Sequence, residues 1–165
     1  MVFEIPADLN PTLLGLAWLI GRWRGNGRGS WPGTGEFEFG QQIDFAANGE
    51  PYLHYLAQFY TLDADGQPDR PLGMETGFWR PAADGSLEVV LSNPQGWAEV
   101  WTGKLAEGRI DLTTDVVART VTAELPYTGG SRLYGNVEGD LMWAFDRAST
   151  EVAMQPYMWG RLQRA

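Results

Sequence analysis

The sequence predicts an all-β chain of about ten short strands, folded as a meander sandwich or closed into an up-and-down barrel. Three observations carry this. Its 165 residues include 8 Trp, 7 Phe and 6 Tyr, which suit strands, beside 21 Gly and 10 Pro, which suit frequent turns. Stretches of period-two alternation recur along the chain, broken by turn signals such as Asn48-Gly49, Asp84-Gly85 and Glu107-Gly108. Only one segment has helical character. The barrel is the better expectation, because closing the sheet removes its exposed edges. A barrel of eight or more strands has room for one small ligand, and so many aromatics would make that interior apolar.

The elements follow in order. Asn10 can cap a short helix, Pro11 suits its first position, and Leu13, Leu14, Ala17 and Trp18 fall at helical spacing before Gly21 stops it. A first strand, 21–29, alternates small and large residues up to the Trp31-Pro32-Gly33 turn. In the next, Phe37, Phe39, Gln41 and Ile43 share one parity while Glu36, Glu38 and Gln42 take the other. A long aromatic strand, 52–62, ends in the loop 63–70, and strands at 74–80 and 87–91 flank the Asp84-Gly85 turn. Trp97, Glu99 and Trp101 alternate with Ala98, Val100 and Thr102. Segments 109–114, 116–124, 131–137, 141–145, 150–154 and 157–164 complete the series. By length this is one domain, with an N-terminal segment over 1–20 and a barrel over 21–165.

Composition excludes several functions. Twelve basic against 21 acidic residues give a net charge of −9, which opposes nucleic acid and anionic membrane surfaces. Without cysteine there are no disulfides, thiol nucleophiles or thiolate metal sites. One histidine, His54, rules out any site of several imidazoles. Residues 1–10 carry Glu4 and Asp8 and no basic residue, unlike a secretory signal. The apolar run 13–20 is too short to span a bilayer. A cytoplasmic monomer or homodimer is expected.

No catalytic constellation is spelled out. His54, mid-strand among aromatics, reads as a packed or rim histidine, and Glu36 with Glu38 as a solvated face. Glu75 lies between apolar residues near Arg80 and suggests an ion pair at a strand end. The glycines of Gly21-Arg22-Trp23-Arg24-Gly25-Asn26-Gly27 lack phosphate-loop spacing. Their alternation instead lets a neighbouring backbone or side chain approach closely, with Trp23 filling the closed end of the barrel. In the last strand Tyr157, Trp159, Arg161 and Gln163 share one parity, and whether that face points inward is left open. Pointing inward, a phenol, an indole and a guanidinium would converge on the cavity.

Several blocks resemble the nitrobindin family of fatty-acid-binding-protein-like haem barrels. The pattern G-x-W-x-G-x-G stands at Gly21, Trp23, Gly25 and Gly27, directly after "LGLAWLIG". "FEFGQQIDF", "GEPYLHYLAQ", "PLGMETGFWRP", "LSNPQGWAEVWTG" and the closing "AMQPYMWGRLQRA" follow in the family's order. The resemblance covers nearly the whole chain and implies a ten-stranded antiparallel barrel with a short N-terminal helical plug. In that family a histidine of the closing block holds ferric haem b, and the haem reacts with nitric oxide and isomerises peroxynitrite. Here Tyr157 stands in place of that histidine, Gly73 replaces a second histidine of the "PLH-x-E-T-G" block, and Gly33 replaces a threonine. The resemblance therefore implies a barrel holding a small apolar molecule or lipid without histidine-ligated haem. Its alternative is haem b on Tyr157, which has a precedent in catalase; Arg161 would then favour the phenolate. A cofactor-free enzyme or protein-interaction module is a third reading, which no acid-base pair supports. The candidate cavity residues are Tyr157, Trp159, Arg161 and His54, with no catalytic residue and no firm metal ligand.

Overall fold

The computed structural model describes residues 4–165; the first three residues of the expected N-terminal segment lie outside the described residues. A helix over Pro11–Leu19 comes first and is of the 3₁₀ type. Asn10 caps it by accepting the Thr12 N–H at 3.1 Å, and Pro11 opens it, as the sequence predicts. Its three residues per turn correct the expected α-helical spacing. Leu13, Leu16 and Leu19, each three apart, form the buried stripe, whereas Leu14 is 60% exposed.

Ten strands follow: β1 (Gly21–Trp31), β2 (Gly35–Ala46), β3 (Leu53–Leu62), β4 (Pro68–Pro81), β5 (Ser86–Asn93), β6 (Trp97–Ala106), β7 (Arg109–Arg119), β8 (Tyr127–Val137), β9 (Asp140–Ser149) and β10 (Gln155–Arg164). Each pairs antiparallel with its neighbours in sequence, and β10 pairs back onto β1, so the sheet closes into the expected up-and-down barrel.

Three expected strand segments change. Segments 109–114 and 116–124 are one strand, β7, ending at Arg119. Val100 pairs with Val116 and Trp101 with Thr114, so Asp115 is an extra residue that shifts the parity. Segment 150–154 is no strand. Ser149 Oγ accepts the Glu151 and Val152 N–H groups at 3.2 and 3.1 Å, which satisfies the backbone in a turn instead of a ladder.

One end of the barrel is plugged. Trp23 is buried there and donates from Nε1 to the Leu19 carbonyl at 2.8 Å. Arg164, near the other terminus, donates to the Ile20 carbonyl at 2.7 Å and to the Trp18 carbonyl, and lies over the Trp23 ring. The first and last strands thus tie down the helix end, whose carbonyls lack intrahelical partners. Above the plug, a Cβ at Gly27 would stand 2.4 Å from the Phe39 ring and 2.5 Å from the Trp159 carbonyl. That close crossing of β1 by its neighbours explains the alternating glycines. Among the described residues no helix is long and apolar enough to cross a membrane.

Candidate functional site

At the end opposite the plug the barrel holds a cavity of about 540 Å³. This lies within the range of small-molecule sites. Inward side chains of β2, β3, β6, β8 and β9 form its walls. The turn residue Thr34, with Leu72 and Gly73 of β4 and Glu124 and Leu125 before β8, stands at its mouth.

The floor is polar and internally matched. Arg132 of β8 donates from Nη1 and Nη2 to the two carboxylate oxygens of Glu75 of β4, at 2.5 and 2.9 Å, and also reaches the Tyr134 hydroxyl at 3.2 Å. Tyr55 of β3 donates its hydroxyl to Glu75 at 2.7 Å. Trp101 and Phe145 offer their ring faces to the same guanidinium, at 4.8 and 4.3 Å. Burial alone would raise the Glu75 pKa. The Arg132 charge and the hydrogen bonds from Arg132 and Tyr55 outweigh it, leaving the carboxyl below its usual 4.5. This pair replaces the expected pairing of Glu75 with Arg80, whose side chain is exposed. Trp143 adds a hydrogen bond from Nε1 to Gln41 Oε1 at 2.8 Å.

Beside the floor, Glu99 of β6 is only 2% exposed. Its Oε1 accepts the Tyr127 hydroxyl at 2.6 Å, and its Oε2 has no hydrogen-bond partner. Burial is the largest influence and raises its pKa above 4.5. Two cavity carboxyls are therefore pushed in opposite directions by one difference: Glu75 is bound by a fork of cationic donors, and Glu99 by one neutral hydroxyl.

The mouth is built around Arg147 and Tyr157. Leu141, Trp143, Phe145 and Arg147 are successive inward positions of β9, and Arg147 is 6% exposed. Its guanidinium rests over Tyr157 at 3.4 Å and over Trp31 at 4.1 Å. Among the described residues no carboxylate reaches it within 4.0 Å, in contrast to Arg132. Desolvation lowers its pKa from 12.5, with Tyr157 acting in the other direction. Arginine stays charged at neutral pH regardless. A buried unpaired charge costs several kcal/mol, of which the two ring contacts return only about 1–4 kcal/mol.

The structure divides the four residues expected in the cavity. A register shift between Pro156 and Met158 leaves Tyr157 as an extra residue in β10. Proline offers no N–H to the ladder, and the resulting bulge turns both Tyr157 and Met158 toward the cavity. Trp159 and Arg161 then fall on the outer wall, which corrects their expected place beside Tyr157. There they line an outer groove of about 760 Å³ with Leu133 and Met142, and Arg161 pairs with Asp140 at 2.6 Å. His54 is also outside: its Nε2 sits 2.9 Å from Thr76 Oγ1, and its ring packs on Phe78. Among the described residues no three His, Cys, Asp or Glu side chains gather to hold a metal ion. Sequence reasoning missed Arg132, Arg147 and Glu99 as cavity groups. Inward parity would have pointed to Arg147, had β9 not been ended at Phe145.

Comparisons agree with this architecture. Residues 12–164 match the family model described as the THAP4-like, heme-binding beta-barrel domain. The chain is 57% identical to the ferric nitrobindin-like protein of Cutibacterium acnes, with all of both chains covered. It is 45% identical to a peroxynitrite isomerase of a Nocardioides species, over 99% of each chain. The crystal structure of Rv2717c from M. tuberculosis superposes with a TM-score of 0.83 at 30% identity, over 96% of this chain and 99% of that one. The chain belongs to the THAP4-like, haem-binding β-barrel family, with nitrobindin-like proteins among its relatives.

Proposed function

We propose that the cavity holds a small, largely apolar molecule and does so without a histidine-ligated haem. One observation carries the reading. The chain has a single imidazole, and it lies on the outer wall against Thr76 and Phe78. No histidine nitrogen is available to iron inside the barrel, so the residues present do not fit haem held in that way. The walls support an apolar guest: Phe37, Phe59, Trp97, Phe145 and Met158 all face the same space.

A second reading is haem held by Tyr157, which would open the nitrogen-oxide chemistry suggested by the relative named peroxynitrite isomerase. One observation favours it. The Tyr55 and Tyr127 hydroxyls are committed to carboxylates, whereas Tyr157 turns into the cavity beside a cation. A phenolate is an accepted ligand of ferric haem.

Titrating haemin into the protein, beside Tyr157→Phe and Tyr157→His, separates the two readings by absorbance. The proposal expects no saturating Soret change in the wild type or Tyr157→Phe. Tyr157→His should gain a stoichiometric one, because it returns an imidazole to the cavity. A wild-type Soret band that Tyr157→Phe abolishes would replace the proposal with the tyrosinate reading.

A further inference from the structure

The mouth contains a cation that an apolar guest alone leaves unexplained. Arg147 is nine-tenths buried, lines the cavity, and has no carboxylate within reach among the described residues. The ring faces of Tyr157 and Trp31 take up part of the charge and Tyr157 adds a side-chain hydrogen bond, but Nε is buried with no partner. The Nε edge of the guanidinium keeps its hydrogen-bonding capacity. A planar carboxylate matches that edge with two parallel N–H···O bonds.

We propose that Arg147 anchors a carboxylate of the ligand, so that the cavity takes a molecule with an apolar body and one acidic end. This rests on the reading of the barrel as a container for an apolar molecule, and it specifies the charged end of that molecule. A single anionic group fits better than a phosphate. Arg132 is already taken up by both oxygens of Glu75, and the only lysine, Lys104, pairs in register with Ser86 at the plugged end of the barrel. One guanidinium therefore stands ready for one negative charge. A cationic guest is disfavoured for the same reason, since it would meet Arg147 at the mouth. The unpartnered oxygen of Glu99 lies deeper and suits a neutral polar atom on the ligand body.

Decanoate and decan-1-ol share a chain and differ in the acidic end, so their Kd values, read from tryptophan fluorescence at neutral pH, test the assignment. The wild type should bind decanoate at least tenfold more tightly than the alcohol. Arg147→Met should remove that preference and leave the alcohol within twofold of its wild-type Kd. Arg147→Lys, which keeps the charge and loses the fork, should fall between. Equal affinity of the wild type for both probes overturns the assignment, as does a preference that survives Arg147→Met. The wild-type comparison needs no variant to fold. Failure of both probes to bind overturns the apolar-ligand reading and the assignment with it. Haemin also carries carboxylates and serves as the second source. Beside a decanoate preference, haemin binding that also weakens tenfold in Arg147→Met adds haem as a source of the anchored carboxylate. A decanoate preference with no such haemin effect assigns the carboxylate to a free acid.

Discussion

Two guanidiniums lie inside this barrel, and the protein treats them differently. On the floor, Arg132 meets both oxygens of Glu75 while Tyr55 supplies a further hydrogen bond to that carboxylate. At the mouth, Arg147 is equally inaccessible to solvent yet has aromatic faces in place of a counter-ion. A matched buried pair belongs to the fold, because every strong group in it is answered from within the chain. A buried charge left unmatched by the chain is held at a cost in stability. Floor and mouth thus divide the polar interior into a part that holds strands β3, β4 and β8 together and a part that presents an unmatched charge to the cavity.

The largest expected effect breaks the floor. Arg132→Met leaves Glu75 buried without its cation and should destabilise the protein by about 3–5 kcal/mol. In a chain of this size that lowers Tm by roughly 6–20 °C. Adding Glu75→Leu removes the stranded charge and should recover most of the loss. At the mouth, Arg147→Met should change stability by no more than about 1 kcal/mol, or increase it, since no partner is left behind. Thermal melts of the three variants make the comparison directly. A loss in Arg147→Met as large as in Arg132→Met would mean that the two cations are structural equals.

The two carboxyls sharpen the contrast through pH. Glu75 has a folded pKa below its unfolded value, so the unfolded chain binds more protons in that window. Its stabilisation is present above about pH 4.5 and is lost as pH falls through the folded value. Glu99 has a folded pKa above 4.5, so the folded protein binds more protons there. Its contribution is present below 4.5 and fades as pH rises through the folded value. Glu99→Gln should therefore flatten the decline in stability on the alkaline side of pH 4.5 and leave the acid limb intact. Denaturant melts from pH 3 to pH 8 read both limbs, and an unchanged alkaline slope in Glu99→Gln counts against the assignment.

The fold was legible because period-two alternation and turn residues are local signals. The inward positions of β2, including Phe39 and Ile43, follow from parity alone. Parity fails wherever a bulge inserts one residue, as at Asp115 and Tyr157, and both failures altered the reading. Pro156 was the available warning at the second, since proline cannot complete a ladder. The floor had no local signal at all. Glu75 and Arg132 are 57 residues apart, and the cations nearest to Glu75 in sequence, Arg70 and Arg80, are both exposed. Only closure of the barrel brings β4 and β8 across from one another.

The smallest effect concerns the single histidine of the chain. His54 is the chain's sole imidazole, and a cavity role would make it the first choice for binding iron or accepting a proton. Its place on the outer wall removes it from the cavity, because the side chains of β3 alternate and Leu53 and Tyr55 hold the inward positions on either side. Thr76 Oγ1, its hydrogen-bonding neighbour, itself donates to the Tyr55 carbonyl, so removing the ring leaves no buried group unanswered. His54→Ala should change stability by no more than about 0.5 kcal/mol, as surface substitutions usually do. It should leave decanoate affinity and the haemin response of Tyr157→His unchanged. A haemin response in Tyr157→His that required His54 would place a second ligand where the fold shows only the outer face of a strand.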